Sequence, residues 1–299
     1  MSNVENKQAG SGIAPQRTSL DWLWTGALAI AVTGAVSGVW AGLLLTNLKL
    51  SPAAPWAVAP MALVLWLVWS LLGGPWGLPG ARPRRAALLR AGPAPTPVML
   101  WALAAGVLAL VALAGLWIVL HALVKTPSNP LAQVSQYPPL TVVVALAMAA
   151  ISGGVSEEAG FRGYFQGALE RRGLGWAAVV ATALVMAPVH AQTQGFAWPN
   201  LVFYLLVDGM LGALAYLTKS IRPGILVHAL GLFIFFALIW PHDAARPMLA
   251  APGDHAWFWV HLAQTIVFAG LSLAAFVQLA RARSRGRGMV AEPLRSASA

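Results

Sequence analysis

The sequence predicts an all-α, polytopic transmembrane bundle of about eight helices with both termini cytoplasmic, and three observations point to it. Hydrophobic residues make up 59% of the 299 positions and charged residues only 9%, against roughly 25% charged in an average soluble domain. Apolar runs near the length of about 20 residues needed to cross a hydrocarbon core recur along the chain. The basic residues fall between those runs and at the ends. Many of the 29 glycines and 21 prolines sit inside the apolar runs, where membrane helices tolerate them better than soluble helices do.

In chain order, a cytoplasmic tail (1–21) precedes three N-terminal spans within 22–137, at 22–46, 53–72 and 98–124. The first run, of about 25 apolar residues, exceeds the roughly 7–15 of a signal-peptide core, so it is expected to stay as an anchor. The segment 75–97 interleaves Pro75, Pro79, Pro83, Pro93, Pro95 and Pro97 with four arginines. It reads as a cytoplasmic loop against anionic headgroups. A helical core (138–240) follows, with spans at 138–155, 175–190, 199–217 and 223–240. An outer loop and last span (241–281, apolar from 256 to 280) and a basic cytoplasmic tail (282–299) complete the chain. Trp22, Trp24, Trp56, Trp101, Trp240, Trp257 and Trp259 fall near span ends, the headgroup level that indoles favour.

With the N-terminus inside, fifteen Lys and Arg are cytoplasmic and three, Lys49, Lys125 and Arg246, are external. This positive-inside bias accounts for the net charge of +10 without a nucleic-acid partner. The absence of cysteine excludes disulfides, a thiol nucleophile, thiolate metal ligands and S-palmitoylation.

An ionisable side chain at membrane depth is costly unless paired or hydrated, so each one is a candidate functional residue. Six stand out: Glu157, Glu158, Arg162, His190, Asp208 and His228. The run from Gly154 to Gly163 is expected to continue the preceding apolar helix. Glu158 and Arg162 are then i,i+4 neighbours that can pair. Glu157, about 100° round the helix, is left as the unpaired carboxylate. A partly desolvated carboxylate of that kind suits a general base working near neutral pH. Gly160, Gly163 and Gly167 permit close helix packing. Asp208 is expected to serve as a polar partner of Arg162 or of a histidine. His121, His242, His255 and His261 are read as interfacial.

Glu157-Glu158-Ala-Gly-Phe-Arg162-Gly-Tyr resembles the Glu-Glu-x-x-x-Arg signature of the CPBP intramembrane proteases, which include CAAX prenyl proteases and bacteriocin-processing or immunity (Abi-like) homologues. Met186-Ala-Pro-Val-His190 is similar to that family's Phe-x-x-x-His motif, with methionine for phenylalanine. His228-Ala-Leu-Gly-Leu232 is similar to its His-x-x-x-Asn/Asp motif, with leucine in the last place. The resemblance covers about residues 139–240. It implies that Glu157, assisted by His190, activates water, that His228 contributes to holding the scissile carbonyl oxygen, and that Glu158 and Arg162 support the site. Leu232 removes one oxyanion donor, a loss on the order of 10²–10³ in rate.

The expected function is thus intramembrane peptide-bond hydrolysis without a cofactor, on a membrane-embedded or lipid-anchored peptide, in a multi-pass protein of the bacterial inner membrane. Membrane lipids are the other expected partners. Zinc on Glu157, His190 and His228 is the alternative cofactor reading, although the chain has no His-Glu-x-x-His helix. Two other functions compete. One is a catalytically impaired binding or immunity protein of the same fold; the other is a proton-coupled transporter using Glu157, Asp208 and the histidines, for which no repeat is evident. Helix rise poses a difficulty for convergence. His190 lies roughly 24 Å along its helix from the Leu174 end, and His228 only about 9 Å from Arg222. They meet only if loops dip or the fourth helix runs long.

Overall fold

The computed structural model describes residues 21–73, 76, 82–124, 136–253 and 255–296. The predicted tail with Lys7 and Arg17, together with Pro75, Pro79 and Lys125, lies outside them, as do the side chains of Arg84, Arg287 and Arg295. Among the described residues the regular structure is all helical, without strands. The helices are α1 (Asp21–Leu50), α2 (Val58–Leu72), α3 (Arg82–Leu89), α4 (Thr96–Leu123), α5 (Pro139–Glu157), α6 (Gln166–Arg171), α7 (Trp176–Gln194), α8 (Trp198–Thr218), α9 (Arg222–Ile234) and α10 (Ala256–Ser296).

Each predicted apolar run coincides with a helix, and among the described residues six helical segments are long and apolar enough to cross a membrane. The runs in α2 and α7 are shorter, Val58–Leu72 and Trp176–Gln192. A π-helical stretch, Glu158–Phe165, joins α5 to α6 without a break, so the charged motif does continue the fourth apolar helix, to Arg171. A second π turn (Phe235–Ile239) and a 3₁₀ turn (Trp240–Ala245) extend α9.

Two expectations need correction. The loop 75–97 contains a helix, α3, because Pro83 is compatible with a first turn and Leu89 packs against Leu72 and Tyr164. The basic tail is not separate from the last span: α10 continues to Ser296. Trp240 and His121 are buried within the bundle. Trp240 packs on Phe235, Phe236 and Trp117, whose ring also stacks on His121 at 3.8 Å. Trp24, Trp257 and Trp259 do project outward, each more than half exposed.

Close approach of helices places the polar residues. A Cβ on Gly154 would stand 3.1 Å from the backbone nitrogen of Ala229, so α5 and α9 touch along their backbones. Gly160 meets Ala29 of α1 at 3.1 Å, and Gly163 meets the Leu89 carbonyl oxygen at 2.8 Å, by the same measure. The small residues of the π stretch therefore seat α1 and α3 against it, the role expected of their spacing.

Candidate active site

The difficulty over helix rise is resolved by the length of the fourth helix. Fourteen residues separate Glu157 from Arg171, and fourteen separate Trp176 from His190. Two runs of about 20 Å, joined by the turn at 172–175, bring His190 back to the level of Glu157. The α8–α9 turn sits nearer the site. Ile221 donates its backbone N–H to the Arg90 carbonyl at 3.0 Å, and the Ser220 hydroxyl donates to the Gly92 carbonyl at 2.6 Å, tying this turn to the segment between α3 and α4. His228, six residues into α9, thereby reaches the same level.

All six sequence-predicted residues come together. Nε2 of His190 and Nε2 of His228 each lie 3.6 Å from Oε2 of Glu157. That exceeds a direct hydrogen bond and leaves the three groups facing one another across a narrow gap. The two imidazoles confront Glu157, while Arg162 pairs with Glu158 and Asp208. Nδ1 of His228 lies 3.1 Å from Oε1 of Glu158, and this contact orients the ring. Arg162, fully buried, faces Glu158 with Nη1 at 3.3 Å from Oε1, and its Nη2 donates to Oδ1 of Asp208. Oδ2 of Asp208 lies 3.8 Å from Nε2 of His190. One guanidinium therefore links two carboxylates, each directed at a different histidine.

The backbone supports this cluster. Arg90 donates through Nη2 to the carbonyl of Arg162 at 2.8 Å and pairs with Glu170 at 2.9 Å. Gly224 in α9 is needed for the close approach of Glu158, since a Cβ there would stand 2.5 Å from Oε2. Pro188 lies within α7, two residues before His190, and removes the N–H that would bond the Leu184 carbonyl.

Glu157, His190 and His228 line a cavity of about 260 Å³ whose other walls are largely apolar, from Trp40, Leu113, Phe203, Val207, Phe235 and Trp240 among others. Leu232 lines it as well, beside Gly153; the side chain in the third motif's last place thus faces the cavity with carbon. Tyr204 is a cavity residue that the sequence reading missed. Its ring stacks on His190 with centroids 4.6 Å apart and an angle of 23°. Its position one helical turn before Asp208 was the available signal, since i and i+4 share a face. Among the described residues no group of three His, Asp or Glu side chains is placed to hold a metal ion.

No curated protein and no solved structure matches the chain. A family model, described as Type II CAAX prenyl endopeptidase Rce1-like, matches residues 138–234. That segment spans α5 to α9 and contains all six polar residues, while the first three spans and the last lie outside it. The match and the motif resemblance agree: residues 138–234, about a third of the chain, are similar to the Rce1-like type II CAAX prenyl endopeptidases.

Proposed function

We propose that this chain is an intramembrane endopeptidase of the CPBP type that hydrolyses a peptide bond with water activated by Glu157 and His190. The observation that carries the reading is the approach of two imidazole nitrogens to one carboxylate oxygen at 3.6 Å, at the wall of a cavity inside a helix bundle. In the proposed step a water bound between Glu157 and His190 gives a proton to the Glu157 carboxylate as its oxygen bonds to the scissile carbonyl carbon. The carbonyl π pair moves onto oxygen, where Nε2–H of His228 donates to it. The proton held by Glu157 then passes to the amide nitrogen, the C–N bond breaks, and carboxylic acid and amine products leave. For His228 to donate from Nε2 while Nδ1 donates to Glu158, the ring must be the imidazolium.

The substrate class is a membrane-embedded or lipid-anchored peptide, which the largely apolar cavity suits, and the setting is the bacterial cytoplasmic membrane. The mechanism uses no metal: activity is expected to survive dialysis against a strong chelator, and its loss with recovery on zinc addition would overturn this part. The main test compares membrane proteomes of cells carrying the native chain or Glu157→Gln. A peptide terminus present only with the native chain is expected; identical terminus sets would end the hydrolytic reading.

One observation favours a second reading, an impaired binding or immunity protein: Leu232 presents carbon to the cavity. Leu232→Asn discriminates. On the hydrolytic reading it raises turnover by on the order of 10²; with no activity in either form, the binding reading stands.

A further inference from the structure

A second concave region lies on the other side of α4 and α8 from the catalytic cavity. It begins as a groove of about 800 Å³ between α4, α8 and α10, walled by residues such as Ala109, Ala112, Leu206, Ala213, Ala269 and Phe276. Its polar side chains, Thr265 and Ser272, have their hydroxyls bonded within the protein, to the His261 carbonyl at 2.8 Å and the Ala105 carbonyl at 2.9 Å. The groove thus offers a guest hydrocarbon contact and little else. Leu113 and Met210 line both the groove and the catalytic cavity and form the wall between them.

The groove meets a different environment where α8 ends and α4 begins. Leu217 also lines a second hollow of about 580 Å³, formed with Pro97, Trp101, Lys219, Arg283 and Arg285. Lys219 pairs with Glu170 at 2.6 Å, and Arg90 pairs with the same carboxylate at 2.9 Å. The hollow itself is lined by Lys219, Arg283 and Arg285, so it is cationic. Arg283 also donates to the Tyr216 carbonyl at 3.1 Å, which anchors the end of α10 over this region. From Ser272 to Ala282 the helix rises about 15 Å, half of the roughly 30 Å hydrocarbon core. The combination spans one leaflet: a chain-length apolar slot below, positive charge above, and an indole at the junction.

We propose that this groove is a binding site for an anionic phospholipid, with its phosphate against Lys219, Arg283 and Arg285 and an acyl chain along Ala213, Ala269 and Phe276. The site is independent of the hydrolytic reading. Its occupant packs on the back of Leu113 and Met210, so that a bound lipid braces the wall of the catalytic cavity.

Native mass spectrometry of the full chain, stripped of lipid in detergent and offered phosphatidylglycerol or phosphatidylcholine, tests this. The native chain is expected to retain phosphatidylglycerol roughly tenfold better, and Arg283→Gln with Arg285→Gln to lose that preference. Arg283→Lys with Arg285→Lys, a charge-preserving control for folding, should keep it. Ala213→Phe, which fills the slot and leaves the charges, should lower retention of phosphatidylglycerol. Equal retention of the two lipids by the native chain, or a preference untouched by the glutamine pair, overturns the proposal. Displacement of phosphatidylglycerol by millimolar inorganic phosphate, with Ala213→Phe without effect, would reveal a bare phosphate site and overturn it equally.

Discussion

Arg162 has no solvent contact and faces Glu158 and Asp208, while Glu157 lies in the same cluster. Removing one partner from a buried ion pair leaves the others uncompensated, at a cost of about 3–5 kcal/mol. Arg162→Ala is therefore expected to lower the melting temperature sharply and to abolish activity; a variant of native stability would show that the carboxylates do not need the guanidinium. Gly224 is a more selective probe. In Gly224→Ala the new methyl would stand 2.5 Å from Oε2 of Glu158 and push that carboxylate away from Nδ1 of His228. A fall in turnover is expected from the disturbed histidine, measured on whichever terminus depends on Glu157. Tyr204 acts on the other imidazole through its ring face. Tyr204→Phe keeps the stack and should keep the rate, whereas Tyr204→Leu should lower it about threefold to tenfold, as expected for loss of one aromatic pair.

At the scale of elements, the π stretch is the piece on which the site depends. It lies inside one continuous helix from Pro139 to Arg171, and π segments concentrate where function perturbs the regular ladder. Arg90 compensates part of that perturbation by donating to the Arg162 carbonyl from the segment after α3. Arg90 lies outside residues 138–234, so a connecting segment beyond the matched family region helps to hold the helix that carries Glu157. Arg90→Leu removes this bond and the pairing with Glu170. Leaving such buried groups unsatisfied is expected to cost about 1–3 kcal/mol, read as a lower unfolding midpoint; an unchanged midpoint would show that the carbonyl has another donor. Gly154 has a similar importance for register, because α9 lies within 3.2 Å of where its Cβ would be. Gly154→Leu is expected to separate α5 from α9, carry His228 away from Glu157 and eliminate cleavage.

For the whole molecule, the bundle surrounds its polar cluster with apolar helices and exposes carbon to the bilayer. Leu28, Ile30, Leu63, Leu205, Ile266 and Leu273 are among the large outward side chains, as lipid contact requires. At one end the 3₁₀ turn and the segment after it are tied to α4. The Trp117 indole donates to Asp243 at 3.0 Å, Arg246 donates to the same carboxylate at 2.7 Å, and the Leu249 N–H donates to the Ala122 carbonyl at 2.8 Å. The positive-inside distribution predicts both termini in the cytoplasm. Reporter fusions active only in the cytoplasm should report at both ends, and a silent C-terminal fusion would reverse the assignment of the last span.

Composition and apolar run length were enough for the bundle and its span order, because in lipid the backbone must satisfy itself within each segment and leaves helix as the choice. The pairing of Glu158 with Arg162 was also legible, since i,i+4 spacing needs no tertiary information. The level at which His190 and His228 meet Glu157 was not. It depends on how far the fourth helix continues past its apolar part and on where the α8–α9 turn docks against Arg90 and Gly92, contacts more than a hundred residues apart in the chain. Trp240, Tyr204 and Arg90 escaped the linear reading for the same reason: each takes its role from a neighbour on another helix. Local spacing and hydropathy act within one segment, whereas a catalytic cluster is a property of how segments pack.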